Sequence, residues 1–277
     1  MGHPATSPAG FNLQMYQNHD NQDVVDSGAS GEAPEALREI DLRLRSTTDP
    51  KERTHLLLNR AVLLGMLGQF DAAASQLELA LREVPTDKEI RLQCEYIGAG
   101  ILHQEHQYEE AYNRMTAILS DYSSILEIPE FRFIFRDIQA YRAFELVQLA
   151  RFDEALPLLH ESLSYGMKAD DENTAVVNLG ICYSKLRSYD KAIEYLRRSL
   201  KTKLTPDWEG QARCQLAIAY THVRLFAEAK EQLELCVQHV DEYELPRAVV
   251  YGWLSRVQRG LGNQLEAERY SRLARPS

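Results

Sequence analysis

The sequence predicts an all-α fold, built as a solenoid of antiparallel helix pairs, and three observations support this prediction. Apolar residues recur at a spacing of three or four from about residue 34 to the end of the chain, which is the period of amphipathic helices. Proline and glycine are sparse inside these stretches, and no segment shows the alternation typical of a strand. A sequence pattern that begins with an aromatic residue recurs along the chain, and such a repeat indicates stacked helix pairs.

Length, composition and charge exclude several classes of protein. The chain has 277 residues, of which 44% are hydrophobic and 26% charged, and these values are typical of one or two domains with a packed core. Its apolar runs are far shorter than the roughly 18 residues of a membrane span, and its N-terminus lacks the apolar segment of a signal peptide. We therefore expect a cytoplasmic protein without a membrane span. The net charge of −10 disfavours a nucleic-acid partner, so none is predicted.

The composition changes near residue 33, which predicts a domain boundary there. Residues 1–32 are rich in Gly, Asn, Gln, Asp, Ser and Pro and contain few large apolar side chains, so we expect a disordered N-terminal arm. Pro34 suits the first turn of a helix, and the apolar spacing after it predicts a leading helix at about 34–46. The helical solenoid is then expected to occupy residues 33–277.

Residues 189–200, with the sequence YDKAIEYLRRSL, have four close relatives and one degraded copy elsewhere in the chain. The aromatic residues that begin the five full copies are separated by 38, 44, 37 and 37 residues; they are Phe70, Tyr108, Phe152, Tyr189 and Phe226. Each of the six copies has an alanine at the same place, and another small residue lies twelve positions before it. The pairs are Ala61 and Ala73, Ala99 and Ala111, Ala143 and Ala155, Gly180 and Ala192, Ala217 and Ala229, and Ser255 and Ala267. Two antiparallel helices joined by a short turn would bring these columns together, where a leucine would overpack at a cost of roughly 1–3 kcal/mol.

Two of the copies carry a fuller set of motif residues. Residues 176–200 contain a leucine–glycine pair, a tyrosine, an aromatic residue, an alanine and a leucine in order, and residues 61–85 add Gly68 in the turn and a closing Pro85. This layout resembles the tetratricopeptide repeat over about residues 54–274, as six repeats. The resemblance implies a right-handed α-solenoid whose first helices line a concave groove. It does not name a partner, because the family binds many unrelated ones.

Ten residues are candidate contacts for a ligand, because the resemblance places them on the groove side of the first helices. Aromatic rings offer contact area, and Asn and Gln side chains are suited to hydrogen bonds with the main chain of a peptide. The candidates are Asn59, Tyr96, Tyr141, Phe144, Asn178, Lys185, Gln215, His222, Trp253 and Arg256. The alternative for each of them is an ordinary solvated or packed residue of a helix.

The segment 131–144 has an unusual composition, with five aromatic residues and three arginines. It fits an interface hot spot, a surface on which nucleic-acid bases stack, or the filling of an irregular joint between the second and third repeats. We favour the last interpretation, because a solenoid needs a continuous core.

No catalytic, cofactor or metal site is predicted. The four cysteines lie far apart and form no Cys-x-x-Cys pair, so we expect free, buried thiols. His103 and His106 are one helical turn apart, but two ligands do not make a metal site, and an exposed helix face is the favoured interpretation. The sequence also lacks a glycine-rich phosphate loop and a nucleophile motif with a strand to carry it.

These observations favour a non-enzymatic module that binds a peptide or protein segment in the groove of the solenoid. The alternative is a ligand-responsive regulator whose solenoid changes its curvature when a small peptide binds. In all-helical build and long repeats the chain resembles the repeat domains of peptide-pheromone receptors, which supports this alternative. The identity of the partner and the oligomeric state stay open.

Overall fold

The computed structural model of the protein describes residues 33–166 and 169–275. These residues form fourteen α-helices and no strand, so the predicted all-α solenoid is confirmed. The predicted disordered arm, residues 1–32, lies outside the described residues.

The helices follow one another along the chain, and most neighbours are joined by turns of three to five residues. Their bounds are α1 Ala33–Ser46, α2 Pro50–Met66, α3 Phe70–Glu83, α4 Lys88–Gln104, α5 Tyr108–Asp121, α6 Ser123–Leu126, α7 Arg132–Gln148, α8 Phe152–Ser164, α9 Ala169–Lys185, α10 Tyr189–Ser199, α11 Pro206–His222, α12 Phe226–Gln238, α13 Arg247–Gly260 and α14 Gln264–Leu273. None of the described helices combines the length and the apolar character that crossing a membrane requires.

The chain divides into two compact units, with the boundary between Glu145 and Leu146 inside α7. We call the described residues 33–145 the N-terminal unit and the described residues from 146 to 275 the C-terminal unit. That residues 33–277 form a single domain stays a prediction.

Side-chain caps fix where two of the first helices begin. The carboxylate of Asp49 accepts a hydrogen bond from a backbone N–H in the first turn of α2, and Pro50 occupies the first position of that helix. At the start of α4, Asp87 accepts hydrogen bonds from the N–H groups of Glu89 and Ile90 at 2.9 and 3.1 Å. These bonds satisfy N–H groups that have no partner within the helix.

Six turns between successive helices share one hydrogen-bond pattern. After α2, Gly68 has a φ of 72°, its N–H donates to Gly65, and the N–H of Gln69 donates to Leu64, each at 2.9 Å. This is the Schellman pattern, which requires a left-handed residue. The left-handed residues of the six turns are Gly68, His106, Ala150, Arg187, Arg224 and Gly262. Four of them carry a side chain in a backbone region that glycine adopts more easily.

The two columns of small residues are buried, and in the last pair they are in direct contact. The hydroxyl of Ser255 donates to the carbonyl of Ala267 at 2.7 Å. A Cβ atom added to Gly180 would lie 2.4 Å from Cγ of Leu196 and 3.3 Å from its backbone nitrogen. The predicted close approach of the two helices of a pair is therefore confirmed at these positions.

The aromatic segment 131–144 is mainly core. It follows α6 and a short 3₁₀ turn, which take up the extra residues between the second and third repeats. Phe131, Tyr141 and Phe144 are buried, and the other two aromatic residues of the segment are partly buried. The interpretation of this segment as packing is thus confirmed for three of its five rings.

Candidate functional site

Burial separates the ten candidate residues into two sets. Five of them have 2% or less of their surface exposed: Asn59, Tyr96, Tyr141, Phe144 and Asn178. Side chains buried to this degree offer almost no surface to a ligand in this conformation. The other five are partly or fully exposed and all belong to the C-terminal unit: Lys185, Gln215, His222, Trp253 and Arg256. That any of the ten contacts a partner stays a prediction.

The buried aromatic candidates of the N-terminal unit hold α4 against α7. The hydroxyl of Tyr96 donates to a carboxylate oxygen of Asp137 at 2.8 Å. The ring of Tyr141 makes edge contacts with His103 and Phe144, at centroid distances of 5.6 and 5.5 Å. Their residue types suit a ligand, but neighbouring helices already use their surfaces.

Four side chains of the C-terminal unit, Tyr189, His222, Trp253 and Arg256, form a continuous stack that we call the aromatic ladder. The ring of Tyr189 stacks on the imidazole of His222 with centroids 4.4 Å apart and 4° between the planes. Trp253 meets His222 edge-on at 5.8 Å, and the guanidinium carbon of Arg256 lies 5.1 Å from the Trp253 ring. These distances are typical of aromatic and cation–π pairs. The structure therefore brings three of the candidate residues together.

Three elements supply the ladder. Tyr189 begins α10, directly after the left-handed turn at Arg187, and His222 is the last residue of α11. Trp253 and Arg256 are three residues apart on α13, a spacing that places them on one face of the helix. Sequence reasoning used Tyr189 only as the first residue of its repeat copy. Tyr189 follows a turn between two helices in the sequence, and this was the available signal that its ring could lie near the end of α11, the first helix of the next repeat.

Two arginines act on the imidazole of the ladder. Burial lowers the pKa of His222, and the nearby guanidinium groups of Arg256 and Arg187 lower it further, so the imidazole is neutral at pH 7. Within the described residues, neither of these arginines nor Lys185 pairs with a carboxylate. In a chain with a net charge of −10, these cations remain available to an anionic group.

Lys185 and Gln215 lie on the first helices that precede α13. Lys185 is an exposed residue at the end of α9, and α9 contacts α11, which carries Gln215. The Oε1 atom of Gln215 is buried and has no hydrogen-bond partner among the described residues. This acceptor is therefore closed to a ligand in this conformation, although part of the Gln215 side chain is exposed.

His103 and the four cysteines, which could otherwise bind a metal or react, are buried in the core. Within the described ranges, no three or more His, Cys, Asp or Glu side chains are grouped as a metal ion would need. The expected exposed face is wrong for His103, whose exposure is 2% and whose Nδ1 lies 2.6 Å from Oε1 of Glu145. The expected free, buried thiols are confirmed, and burial raises the pKa of Cys94 and Cys182 to about 12. Thiols with such a pKa are weak nucleophiles at neutral pH.

Comparisons with known proteins agree with this fold. The family model described as Tetratricopeptide repeat matches residues 174–205, which contain α10 and most of α9. No curated protein matches the chain. The chain is similar to a tetratricopeptide repeat protein from Parabacteroides merdae, at 15% identity and a TM-score of 0.55, with 95% of each chain covered. It is also similar to the apo form of RapI, at 14% identity and a TM-score of 0.59, with 91% of this chain and 72% of that chain covered. The chain therefore contains one matched tetratricopeptide repeat at residues 174–205 and shares the helical solenoid fold of these two proteins.

Proposed function

We propose that this protein is a non-enzymatic interaction module that binds a peptide or an extended protein segment along the first helices of its C-terminal unit. The observation that carries the proposal is the aromatic ladder, in which Tyr189, His222, Trp253 and Arg256 contact one another in that order. His222 and Arg256 are exposed, and Trp253 is partly exposed. Aromatic residues and arginine contribute a large share of the binding energy in protein interfaces. A cluster of them that stays at least partly exposed is therefore well suited to a partner.

The chemistry around the ladder fits a polypeptide. The rings give flat contact area for the side chains and main chain of a peptide. Neutral His222 offers one donor and one acceptor nitrogen, and the cation of Arg256 matches a carboxylate. Apolar contact, main-chain hydrogen bonding and charge pairing are the three features that an extended peptide requires.

The test uses an array of random octapeptides and the fluorescence of Trp253. The chain has two tryptophans, and Trp208 is 3% exposed, so Trp208→Phe leaves Trp253 as the sole reporter next to the ladder. We expect octapeptides that bind to change the Trp253 emission. Trp253→Ala, made in the otherwise native chain, should lower their affinity at least tenfold, measured by fluorescence anisotropy of labelled peptide, and leave the far-UV circular dichroism unchanged.

Tyr251→Ala is the matched control. Tyr251 lies on the same helix, but it stacks on Tyr270 of α14 and is not part of the ladder. Truncating it removes a similar amount of aromatic surface from α13. If Trp253→Ala and Tyr251→Ala bind the octapeptides equally well, the ladder is not the binding site.

The alternative of a ligand-responsive regulator makes a further demand. It requires the solenoid to change curvature when an octapeptide binds at the ladder, whereas a passive interaction module does not. Small-angle X-ray scattering of the protein with and without the tightest octapeptide separates the two. An unchanged scattering profile at saturating peptide rules out the regulator and leaves the interaction module in place.

A further inference from the structure

We propose that Gly252 keeps open a slot on α13 through which the main chain of an extended acidic segment approaches the aromatic ladder. The inference rests on the proposed function, and it adds a residue that determines specificity and a class of ligand. Three observations support it: the free space at Gly252, its position relative to Arg256, and the charge around the site.

The first observation is that packing does not require a glycine at this position. Gly252 lies inside α13, is exposed, and a Cβ atom added to it would have no neighbour within 4 Å. At Gly180 and Gly210, by contrast, an added Cβ would lie 2.4 Å from Leu196 and Tyr243, respectively. Glycine weakens a helix relative to alanine, and here no close contact compensates for that loss. The missing side chain therefore calls for another explanation.

The repeat register shows what is normally placed there. Gly252 lies three residues before the small residue of its repeat, Ser255. The equivalent positions in the two preceding repeats hold Val177 and Cys214, and both are buried. Where those helices fill the position with a side chain, α13 presents bare backbone to solvent. A ligand main chain can come closer to a helix at a glycine than at any other residue.

The second observation is that Gly252 shares a helix face with a cation of the ladder. It directly precedes Trp253 and lies four residues before Arg256, a spacing that places Gly252 and Arg256 on the same face, one turn apart. The guanidinium of Arg256 is already held over the Trp253 ring. A segment whose main chain passes Gly252 thus brings its next side chains to Arg256.

The third observation sets the chemistry of those side chains. Arg256 and Arg187 both act on His222 as positive charges, and neither pairs with a described carboxylate. The chain as a whole is acidic, with a net charge of −10. Complementary charge selects partners and disfavours segments of the same sign. Asp or Glu next to the contact at Gly252 is therefore the expected feature of the ligand.

The test compares two pools of fluorescein-labelled octapeptides, one with Glu and one with Lys at alternate positions and random residues elsewhere. The native chain should bind the Glu pool at least tenfold more tightly than the Lys pool. Gly252→Leu should reduce binding of the Glu pool at least tenfold, because its side chain fills the slot. Gly252→Ala should raise the thermal midpoint of unfolding and still reduce binding measurably. The control Ala227→Leu, at an exposed position of α12, should leave binding unchanged.

The outcomes separate this inference from the proposed function. If Gly252→Leu and Gly252→Ala bind the Glu pool like the native chain while Trp253→Ala does not, the slot is wrong and the ladder stands. If Trp253→Ala is also without effect, or if the native chain binds neither pool, both proposals fall. A preference for the Lys pool overturns the acidic ligand. Should Gly252→Leu fail to fold, the more stable Gly252→Ala decides the result.

Discussion

The two units use the same repeat register, yet one position of their first helices is buried throughout the N-terminal unit and becomes exposed along the C-terminal unit. The positions directly after the small residue of each first helix are Val62, Gly100 and Phe144 in the N-terminal unit and Ile181, Ile218 and Arg256 in the C-terminal unit. The first three are buried, and exposure then rises along the second three, from 8% at Ile181 through a partly buried Ile218 to an exposed Arg256. The repeat fixes the position of each residue on its helix. The packing of neighbouring helices then determines whether its side chain is exposed to a partner.

Two histidines near the ends of first helices show the difference most clearly. His103 on α4 is 2% exposed and contacts the fully buried Glu145. His222 on α11 is exposed and stacks on Tyr189. The same residue type is thus part of the core in the N-terminal unit and part of the candidate site in the C-terminal unit.

The largest expected effect tests this contrast by removing each imidazole. His103→Ala leaves the Glu145 carboxylate buried without its partner, and its Oε2 atom already has none among the described residues. We expect a loss of about 3–5 kcal/mol in the free energy of unfolding, which is the usual cost of breaking a buried pair. His222→Ala, the matched control, removes a stacked contact with Tyr189 and an edge contact with Trp253, and should cost about 1–2 kcal/mol. Urea unfolding followed by circular dichroism measures both, and equal losses would contradict the contrast.

The pH dependence of Glu145→Gln sharpens the same comparison. Burial raises the pKa of Glu145, and the hydrogen bond with His103 opposes that rise only in part. A raised pKa means that the carboxyl group favours the folded state most in acid, and that this contribution is lost as the pH rises through the folded-state pKa. The stability of Glu145→Gln relative to the native chain should therefore increase as the pH rises above 4.5, the ordinary value. A difference that stays constant from pH 4.5 to pH 8 would show that Glu145 does not titrate in this way.

Sequence alone predicts the fold further than it predicts the site, and the residues show why. The columns of small residues can be recognised in the sequence because a helix contact as close as that of Ser255 with Ala267 admits only small side chains. The size of a side chain follows directly from the residue type at each position. Exposure is not encoded locally. Tyr96 has the chemistry of a ligand contact, but Asp137, 41 residues later in the chain, binds its hydroxyl. The left-handed conformation of Arg187 is likewise not visible in the sequence, because an arginine does not mark a left-handed position.

The second largest effect compares a glycine of each unit. A Cβ atom on Gly180 would lie 2.4 Å from Leu196 Cγ and close to its backbone, whereas one on Gly98 would lie 2.8 Å from the mobile end of Arg114. Gly180→Ala should therefore cost about 1–3 kcal/mol, because the helix pair must separate. Gly98→Ala should change stability by about 1 kcal/mol or less, since Arg114 can move and alanine favours the helix. Thermal and urea unfolding of both variants measure the difference, and a neutral Gly180→Ala would contradict close packing of α9 on α10.

The smallest effect concerns the left-handed turns, which hold a glycine after α2 and an arginine after α11. Gly68 and Arg224 have φ values of 72° and 66°, and each donates the same backbone hydrogen bond within its turn. Gly68→Ala should cost about 1 kcal/mol, because a Cβ atom is unfavourable in this conformation. Arg224→Gly should gain about 0.5 kcal/mol, since relief of strain exceeds the added freedom of the unfolded chain by only a little. Differential scanning calorimetry of the two variants reports both signs. A loss of stability in Arg224→Gly would mean that the arginine side chain stabilises its turn by more than the strain it introduces. The two turns would then be stabilised in different ways although their backbone conformations are alike.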